Sequence, residues 1–184
     1  MVEARGGIRS LLVIGGARSG KSRYAQTAAE QSGKKLVLIA TGEAKDAEMA
    51  ARIAAHQAER RAHWRTIEAP LALAATIQAT VAPDTIVLVD CLTLWLTNVM
   101  LAGGDAEAEG QHLAAIIAGL AGPVIFVTNE VGAGIVPDNA LARRFQDAQG
   151  RVNQVLAAAC DAVVLVTAGL PLILKSDRVT VLKL

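Results

Sequence analysis

The sequence predicts a three-layer α/β fold, in which a mostly parallel β-sheet is covered by helices on both faces. Two observations support this prediction. The strand-like segments are apolar along their whole length, as expected for strands that are buried on both faces. Helical patterns separate these segments, which is typical of parallel strands joined by crossover helices. The clearest strands lie at 11–14, 35–40, 86–89, 124–128 and 163–167.

The remaining elements follow in order along the chain. We expect helices at 23–30, 46–61, 70–79, 93–102, 106–120 and 139–159, and a further strand at 64–68. The segment 172–174 is expected to pair with 179–181 and to complete the sheet. No linker, repeat or low-complexity stretch interrupts this alternation, so we expect residues 1–184 to form a single domain.

Composition excludes several classes of protein. The chain has 18 Lys and Arg against 17 Asp and Glu, and only 3% of its residues are aromatic, which does not favour a nucleic-acid partner. The apolar stretch 155–174 is interrupted by Asp161 and by a predicted turn at 169–171, so we expect no membrane span. The charged first ten residues do not resemble a signal peptide, and the two cysteines fit no metal spacing. We therefore expect a cytoplasmic protein with reduced thiols.

The most informative motif lies between the first strand and the first helix. Residues 15–22 read Gly-Gly-Ala-Arg-Ser-Gly-Lys-Ser and match the pattern GxxxxGKS of a phosphate-binding loop. Glycines let the backbone curl so that its N–H groups point at phosphate oxygens, and the helix that begins there adds its positive end. Lys21 would reach the β- and γ-phosphates, and Ser22 would ligate Mg²⁺. The alternative is an ordinary glycine-rich turn. With the α/β pattern, the motif predicts a P-loop NTPase-type (RecA-like) fold.

Further candidates lie where the predicted strands end, because ligands of parallel α/β sheets bind at the carboxyl ends of the strands. Asp90 ends an apolar strand and would hold Mg²⁺ directly or through water. Thr41 and Gly42 follow the second strand, where backbone can approach a ligand closely. Asn129 and Glu130 bring an amide and a carboxylate to the same edge. Each of these residues has an alternative interpretation as a plain turn residue.

His56 lies in the predicted helix at 46–61 and shares a helical face with Met49, Ile53 and Arg60. A lone histidine in this setting is usually a packed core or interface residue. The functional alternative is a nucleophile, because a neutral imidazole can attack an α-phosphate at near-neutral pH. Arginines close to it in sequence would then neutralise phosphate charge.

Several segments in order along the chain carry a family resemblance. They are residues 15–23, 39–41, 48–53 with His56, 62–66, 128–132 with 134–137, and 150–154. On these segments the chain resembles the bifunctional adenosylcobinamide kinase and adenosylcobinamide-phosphate guanylyltransferase family of cobalamin biosynthesis. The resemblance covers nearly the whole chain and is not confined to the phosphate loop.

The resemblance implies a two-step transferase. ATP or GTP first phosphorylates adenosylcobinamide; GTP then guanylylates a histidine, here His56, and GMP passes to adenosylcobinamide phosphate. The Mg²⁺ that the motif places at Ser22 and Asp90 would neutralise phosphate charge in this chemistry. The resemblance also implies a homotrimeric assembly. The helix that carries His56 would have to move to reach an α-phosphate bound at the loop. The nucleotide contacts that the resemblance implies are Gly15, Gly16, Ala17, Arg18, Ser19, Gly20, Lys21, Ser22, Ala40, Thr41, Gly42, Gln57, Ala58, Glu59, Arg60, Glu68 and Asp90.

Three other functions compete with this interpretation. A P-loop small-molecule kinase without guanylyl transfer would need Lys21, Ser22 and Asp90 but not His56. A GTP-regulated interaction protein would bind nucleotide and turn it over slowly. A nucleic-acid-stimulated ATPase would need a basic stripe, which the near-neutral charge does not supply.

Overall fold

The computed structural model of the protein describes residues 8–43 and 63–176. In these two segments, strands and helices alternate along most of the chain. The elements are β1 (Ser10–Gly15), α1 (Lys21–Glu30), β2 (Lys35–Ala40), β3 (Trp64–Glu68), α2 (Leu73–Thr80), β4 (Thr85–Asp90), α3 (Leu92–Leu101), α4 (Ala106–Ile117), β5 (Val124–Asn129), α5 (Ala140–Ala159), β6 (Ala162–Thr167) and β7 (Leu170–Lys175).

The strands form one sheet in the order β3-β2-β4-β5-β1-β6-β7. Every pairing is parallel except that of β6 with β7, which is antiparallel. Strand β5 lies between β1, which leads into the glycine-rich loop, and β4, which ends in Asp90. The prediction of a mostly parallel sheet is confirmed, and the carboxyl ends of the parallel strands meet at one edge.

The two faces of the sheet bury separate hydrophobic clusters, because successive side chains of a strand point to opposite faces. On one face, Ala25 and Ala29 of α1 pack against strand residues such as Val13 and Val127. On the other face, helices α2 to α5 pack over a larger cluster, which includes Trp95 of α3, the largest fully buried side chain of the described residues. The face that packs against α1 is called the α1 face below. Strand-end residues on this face lie on the same side of the sheet as the helix that follows the loop.

Two predicted boundaries differ from the structure for identifiable reasons. The helix predicted from residue 70 begins at Leu73. The Pro70 carbonyl instead accepts from the Asn98 side chain at 3.2 Å, and the Leu71 carbonyl accepts from the Trp95 side chain at 3.1 Å and from the Leu73 N–H at 2.8 Å. Both carbonyls are therefore engaged in bonds other than the i to i+4 bonds of a helix. The helix predicted to end at residue 120 ends at Ile117, two residues before Gly119.

The end of the sheet also differs from the prediction. The turn predicted at 169–171 lies instead at 168–169, where Ala168 and Gly169 have positive φ angles of 53° and 80°. Leu170 and Pro171 belong to β7, which pairs with β6. Proline is tolerated there because β7 pairs on one side only within the described sheet. The expected partner at 179–181 lies outside the described residues.

No helix within residues 8–43 and 63–176 combines the length and the hydropathy that crossing a membrane requires. The apolar stretch at 155–174 is divided between the end of α5, strand β6 and the start of β7, as the interrupting residues predict.

Candidate active site

The loop between β1 and α1 has a backbone that requires its two signature glycines. A Cβ atom at Gly15 would lie 2.4 Å from Ser19 Oγ and 2.6 Å from the carbonyl oxygen of Val166, so a larger residue does not fit. Gly20 has a φ of +93°, in the left-handed region that glycine adopts without steric cost. Arg18 also has a positive φ, of 55°. The loop therefore has the tight curl expected of a phosphate-binding backbone.

Helix α1 begins directly after this loop and presents its positive end there. Its N-cap residue, Gly20, supplies no side-chain hydrogen bond to the first turn, and no acidic residue lies in that turn. Backbone N–H groups at such a helix start are ready to bind an anion. The Lys21 ammonium lies over the same loop, 3.1 Å from the carbonyl oxygen of Gly16, and Ser22 follows it half-buried in the first turn.

Five residues form a row on the α1 face at the carboxyl edge of the sheet. In the strands β1 to β5, alternation from the residues that pack on the α1 face brings the last residue to that face. These last residues are Gly15, Ala40, Glu68, Asp90 and Asn129. The register aligns Gly15 with Asn129 and aligns Ala40 with both Asp90 and Glu68, while Asp90 pairs with Val127, two residues before Asn129. The predicted loop, the predicted metal ligand and two predicted nucleotide contacts are thus on one edge and one face.

A buried threonine fixes the ends of β2 and β4 to each other. Thr41 is fully buried, and its hydroxyl donates to the carbonyl oxygen of Cys91 at 2.6 Å while accepting from the Cys91 N–H at 3.0 Å. The carbonyl oxygen of Thr41 accepts from the Asn98 side chain at 2.8 Å. Thr41 therefore joins β2 to the end of β4 through its hydrogen bonds. Its neighbours at the edge, Gly42 and Asp90, are half-buried.

The electrostatics of this edge couple the loop lysine to the end of β4. Burial, together with the charge of Asp90, raises the pKa of the Cys91 thiol to about 11, while the charge of Lys21 acts in the opposite direction. The Lys21 ammonium is therefore close enough to act electrostatically on the Asp90–Cys91 turn, although the two segments are far apart in sequence. The Cys91 thiol is protonated at neutral pH, so it does not serve as a thiolate nucleophile.

The end of β5 is held by a network of buried polar side chains. The Thr128 hydroxyl donates to Asn153 Oδ1 at 2.8 Å, and Gln149 Nε2 donates to both of these oxygens at 3.0 Å. Asn153 Nδ2 in turn donates to the carbonyl oxygen of Asn129 at 3.0 Å, and the Asn129 N–H donates to Thr93 Oγ1 at 2.9 Å. The network joins α3, β5 and α5 directly behind the loop.

Sequence reasoning placed part of this site and missed part of it. Asn129 was a candidate from its place at a strand end, but Thr93, Gln149 and Asn153 were not identified as site residues. Gln149 and Asn153 lie four residues apart on the buried face of α5, beside buried Val152. Polar residues at helical spacing on an otherwise apolar face were the signal that could have identified them.

Some predicted site residues lie outside the described part of the chain. They are His56, Gln57, Ala58, Glu59 and Arg60. Among the residues that the structure describes, no group of three or more His, Cys, Asp or Glu side chains could hold a metal ion. The predicted ligand pair of Ser22 and Asp90 is a smaller set, with one hydroxyl and one carboxylate.

A GxxxxGKS loop that opens a helix, with a carboxylate on the second strand along from β1, defines a nucleotide-binding protein of the P-loop NTPase class. Within that class, the family model described as cobinamide kinase / cobinamide phosphate guanyltransferase matches residues 11–174. The chain belongs to this family, whose members are transferases, and the resemblance seen in the sequence is confirmed.

Curated relatives agree with this assignment. The chain is 47% identical over 168 residues to the bifunctional adenosylcobalamin biosynthesis protein CobP of Pseudomonas aeruginosa, covering 90% of this chain and 97% of the relative. It is 45% identical over 175 residues to the bifunctional adenosylcobalamin biosynthesis protein CobU of Salmonella typhimurium, covering 87% of this chain and 96% of the relative. The similarity therefore extends over almost the full length of these proteins.

Solved structures support the fold alone. The flagellar accessory protein FlaH of Methanocaldococcus jannaschii aligns with a TM-score of 0.53 at 12% identity, over 91% of this chain and 78% of that one. An ATPase from the type III secretion system of pathogenic bacteria aligns with a TM-score of 0.51 at 14% identity, over 88% and 52% of the two chains. The predicted P-loop NTPase-type fold is confirmed.

Proposed function

We propose that this chain phosphorylates adenosylcobinamide with ATP or GTP and then transfers GMP from GTP to adenosylcobinamide phosphate. The products of the second step are adenosylcobinamide-GDP and pyrophosphate. The observation that carries the proposal is the convergence of the phosphate loop, Lys21 and Asp90 on one edge of the sheet. Membership of the family, with relatives that are named as bifunctional proteins, supports a corrinoid as the substrate and guanylyl transfer as the second activity.

The described residues fit a nucleotide with Mg²⁺. Ser22 lies in the first turn of α1, and Asp90 ends β4 on the α1 face. Magnesium prefers oxygen ligands and is usually held by one or two protein groups, with phosphates and waters completing its shell. Bound there, the ion would supply charge neutralisation at the β- and γ-phosphates.

In the kinase step the protein supplies positioning and positive charge. The N–H groups of the loop and of the first turn of α1 hold the phosphates, and the Lys21 ammonium faces the oxygens on which charge develops. The corrinoid hydroxyl oxygen forms a bond to the γ-phosphorus, while the bond from that phosphorus to the bridging oxygen breaks. The electron pair leaves with the nucleoside diphosphate, and the hydroxyl proton passes to water.

In the guanylyl step we assign the nucleophile to His56. A neutral ring nitrogen attacks the α-phosphorus of GTP and pyrophosphate leaves, which gives a phosphoramidate. A phosphate oxygen of the corrinoid phosphate then attacks the same phosphorus, and the P–N bond breaks to regenerate histidine. The family resemblance supports this role, with Gln57 to Arg60 as further nucleotide contacts. Because the helix predicted at 46–61 follows the second strand and not the phosphate loop, we expect it to move towards a nucleotide bound at the loop. Two successive displacements predict ping-pong kinetics.

The test uses GTP labelled at the α-phosphate, with Mg²⁺ and without corrinoid. We expect acid-labile, base-stable label on the native chain and on His112→Ala, a matched control because His112 is an exposed residue of α4. We expect no label on His56→Ala. Absence of label on the native chain would leave only a P-loop kinase or a GTP-binding protein, and label on His56→Ala would move the nucleophile elsewhere.

The assembly that we propose is a cytoplasmic homotrimer with one nucleotide-binding domain in each chain. A shallow apolar pocket of about 270 Å³ between α3 and α5, lined by residues that include Leu101 and Phe145, supports shared surface between subunits. Leu101 is 62% exposed and Leu141 is 54% exposed. Light scattering should give three times the chain mass for the native protein and a smaller mass for Leu141→Asp.

The near-neutral net charge favours a small-molecule substrate over nucleic acid.

A further inference from the structure

Asn129 is placed between the phosphate loop and the predicted metal ligand. It ends β5, the strand between β1 and β4, and its Cα pairs with that of Gly15. Ile125 and Val127 pack on the α1 face, so alternation along β5 directs the Asn129 side chain to that same face. In the register of β4 with β5, Asp90 pairs with Val127, so Asn129 lies two residues further along. At about 3.3 Å per residue, it stands beyond the metal ligand in the direction of the open edge.

The backbone of Asn129 is fixed on both sides. Its N–H donates to Thr93 Oγ1 at 2.9 Å, and its carbonyl oxygen accepts from Asn153 Nδ2 at 3.0 Å. Thr93 and Asn153 are themselves buried. Both backbone groups of Asn129 are therefore satisfied by side chains from α3 and α5, and the freedom that remains is in its own side chain.

The side-chain oxygen of Asn129 is buried, and no described residue gives it a hydrogen bond. Buried polar atoms are normally paired, so an unpaired amide oxygen at the edge of a ligand site calls for a donor from a ligand. Phosphate oxygens cannot supply one, because they are acceptors and carry negative charge. A hydroxyl group can, and phosphoryl transfer brings a hydroxyl to this edge.

We infer that Asn129 binds the acceptor hydroxyl through Oδ1 and orients it for attack on the γ-phosphorus. This inference rests on the proposed kinase activity. The amide accepts a hydrogen bond but no proton, so the proton still passes to water as the oxygen–phosphorus bond forms and the nucleoside diphosphate leaves. Thr93 and Asn153 are positioning residues, since they hold the Asn129 backbone. Guanylylation in the absence of corrinoid involves no such hydroxyl and does not use Asn129.

The test compares Asn129→Ala, Asn129→Ser and a control, Gln154→Ala, at an exposed position of α5 beside Asn153. We measure kcat and KM for phosphorylation of adenosylcobinamide, Kd for nucleotide, and α-phosphate labelling without corrinoid. For Asn129→Ala we expect kcat to fall on the order of 10²-fold, as for a misaligned reacting group. Nucleotide Kd and labelling should stay unchanged. Asn129→Ser keeps an oxygen acceptor and should recover part of the rate, and it also serves if the alanine variant fails to fold.

Three outcomes separate the possibilities. If the native chain phosphorylates adenosylcobinamide and Asn129→Ala does so at the same rate, the inference is wrong. If Asn129→Ala does not fold, a rate for Asn129→Ser equal to that of the native chain overturns the inference instead. If Kd for nucleotide rises in proportion to the loss of kcat, Asn129 holds the nucleotide or its metal and the inference is also wrong. If the native chain transfers no phosphoryl group to adenosylcobinamide, the proposed function itself fails, and unchanged labelling of the variants would show that the nucleotide site is intact.

Discussion

The edge that carries the site depends on single buried residues that join segments distant in sequence. Thr41 is the clearest case, because one hydroxyl satisfies both the N–H and the carbonyl oxygen of Cys91. An apolar residue of the same size would leave the Cys91 N–H unpaired beside Asp90, while the Cys91 carbonyl oxygen would keep only its bond from the Trp95 N–H at 3.2 Å. Loss of the Thr41 hydroxyl would therefore lower the stability of the protein and change the position of Asp90, the predicted metal ligand.

We predict that Thr41→Val lowers the free energy of unfolding by about 1–3 kcal/mol, the cost of leaving one buried backbone N–H unsatisfied. Urea denaturation of both proteins measures it. The matched control is Thr66→Val on β3, where the side chain is exposed and the change should be close to neutral. Equal effects at the two positions would contradict the role assigned to Thr41.

For single residues, the sequence predicts a role only where the residues that act together lie close to one another in the sequence. Gly15, Gly20 and Lys21 lie within one short motif, so their roles follow from spacing alone. Asp90 follows from its place at the end of an apolar strand. Thr93 and Gln149 were not predicted because their partners come from other elements, and no local pattern shows which helix will lie behind β5.

Among the elements, the contact between α4 and α5 depends on a glycine. A Cβ atom at Gly110 of α4 would lie 2.8 Å from Cγ2 of Val152, which is buried on α5. Valine is stiff about χ1 in a helix, so it cannot turn aside cheaply. Gly150 of α5 has no heavy atom within 4 Å of the corresponding position. The two helical glycines therefore form a natural pair for comparison.

We predict opposite signs for alanine at these two positions. Gly150→Ala should stabilise the protein by about 0.5–1 kcal/mol, because alanine is the better helix former. Gly110→Ala should destabilise it by about 1 kcal/mol or more, because overpacking outweighs that gain. Thermal or urea unfolding of both variants measures the difference, and stabilisation by Gly110→Ala would show that the helices separate easily.

The order and type of the described elements followed from the sequence, but several of their ends did not. The predicted bounds of β2 and β3 are those observed, since apolar runs and turn residues delimit them locally. Helix α2 begins later than predicted because side chains of α3 take the carbonyls of Pro70 and Leu71. Tertiary hydrogen bonds of this kind are invisible in a local pattern.

Across the molecule, Asp161 joins the start of β1 to the segment that leads into β6. Its carboxylate accepts hydrogen bonds from the N–H groups of Arg9 and Ser10 and from the Ser10 hydroxyl, at 2.8 to 2.9 Å. Burial by itself would raise the pKa of Asp161, but these hydrogen bonds together lower it below the ordinary value of 3.8. The folded state thus favours the ionised carboxylate.

We predict that this contribution is present above pH 3.8 and is lost as the pH falls through the lower folded pKa. The unfolding free energy of the native chain should begin to fall as the pH approaches 3.8 and should continue to fall below it, and Asp161→Asn should show a flatter dependence. The control is Asp84→Asn. The hydrogen bond from Lys35 lowers the pKa of Asp84, but this pair is solvent-exposed and contributes little. A native profile that matches Asp161→Asn would contradict the prediction.

The turn between β6 and β7 contains an amide whose hydrogen exchange reports on the conformation of the phosphate loop. The Gly169 N–H donates to the carbonyl oxygen of Ser19 at 2.8 Å, and a Cβ atom at Gly20 would lie 3.2 Å from Gly169 Cα. Amide hydrogen exchange at Gly169 therefore measures how often the loop opens. Bound nucleotide should slow that exchange in proportion to ligand concentration over Kd, which would give an occupancy measurement that needs neither a label nor turnover.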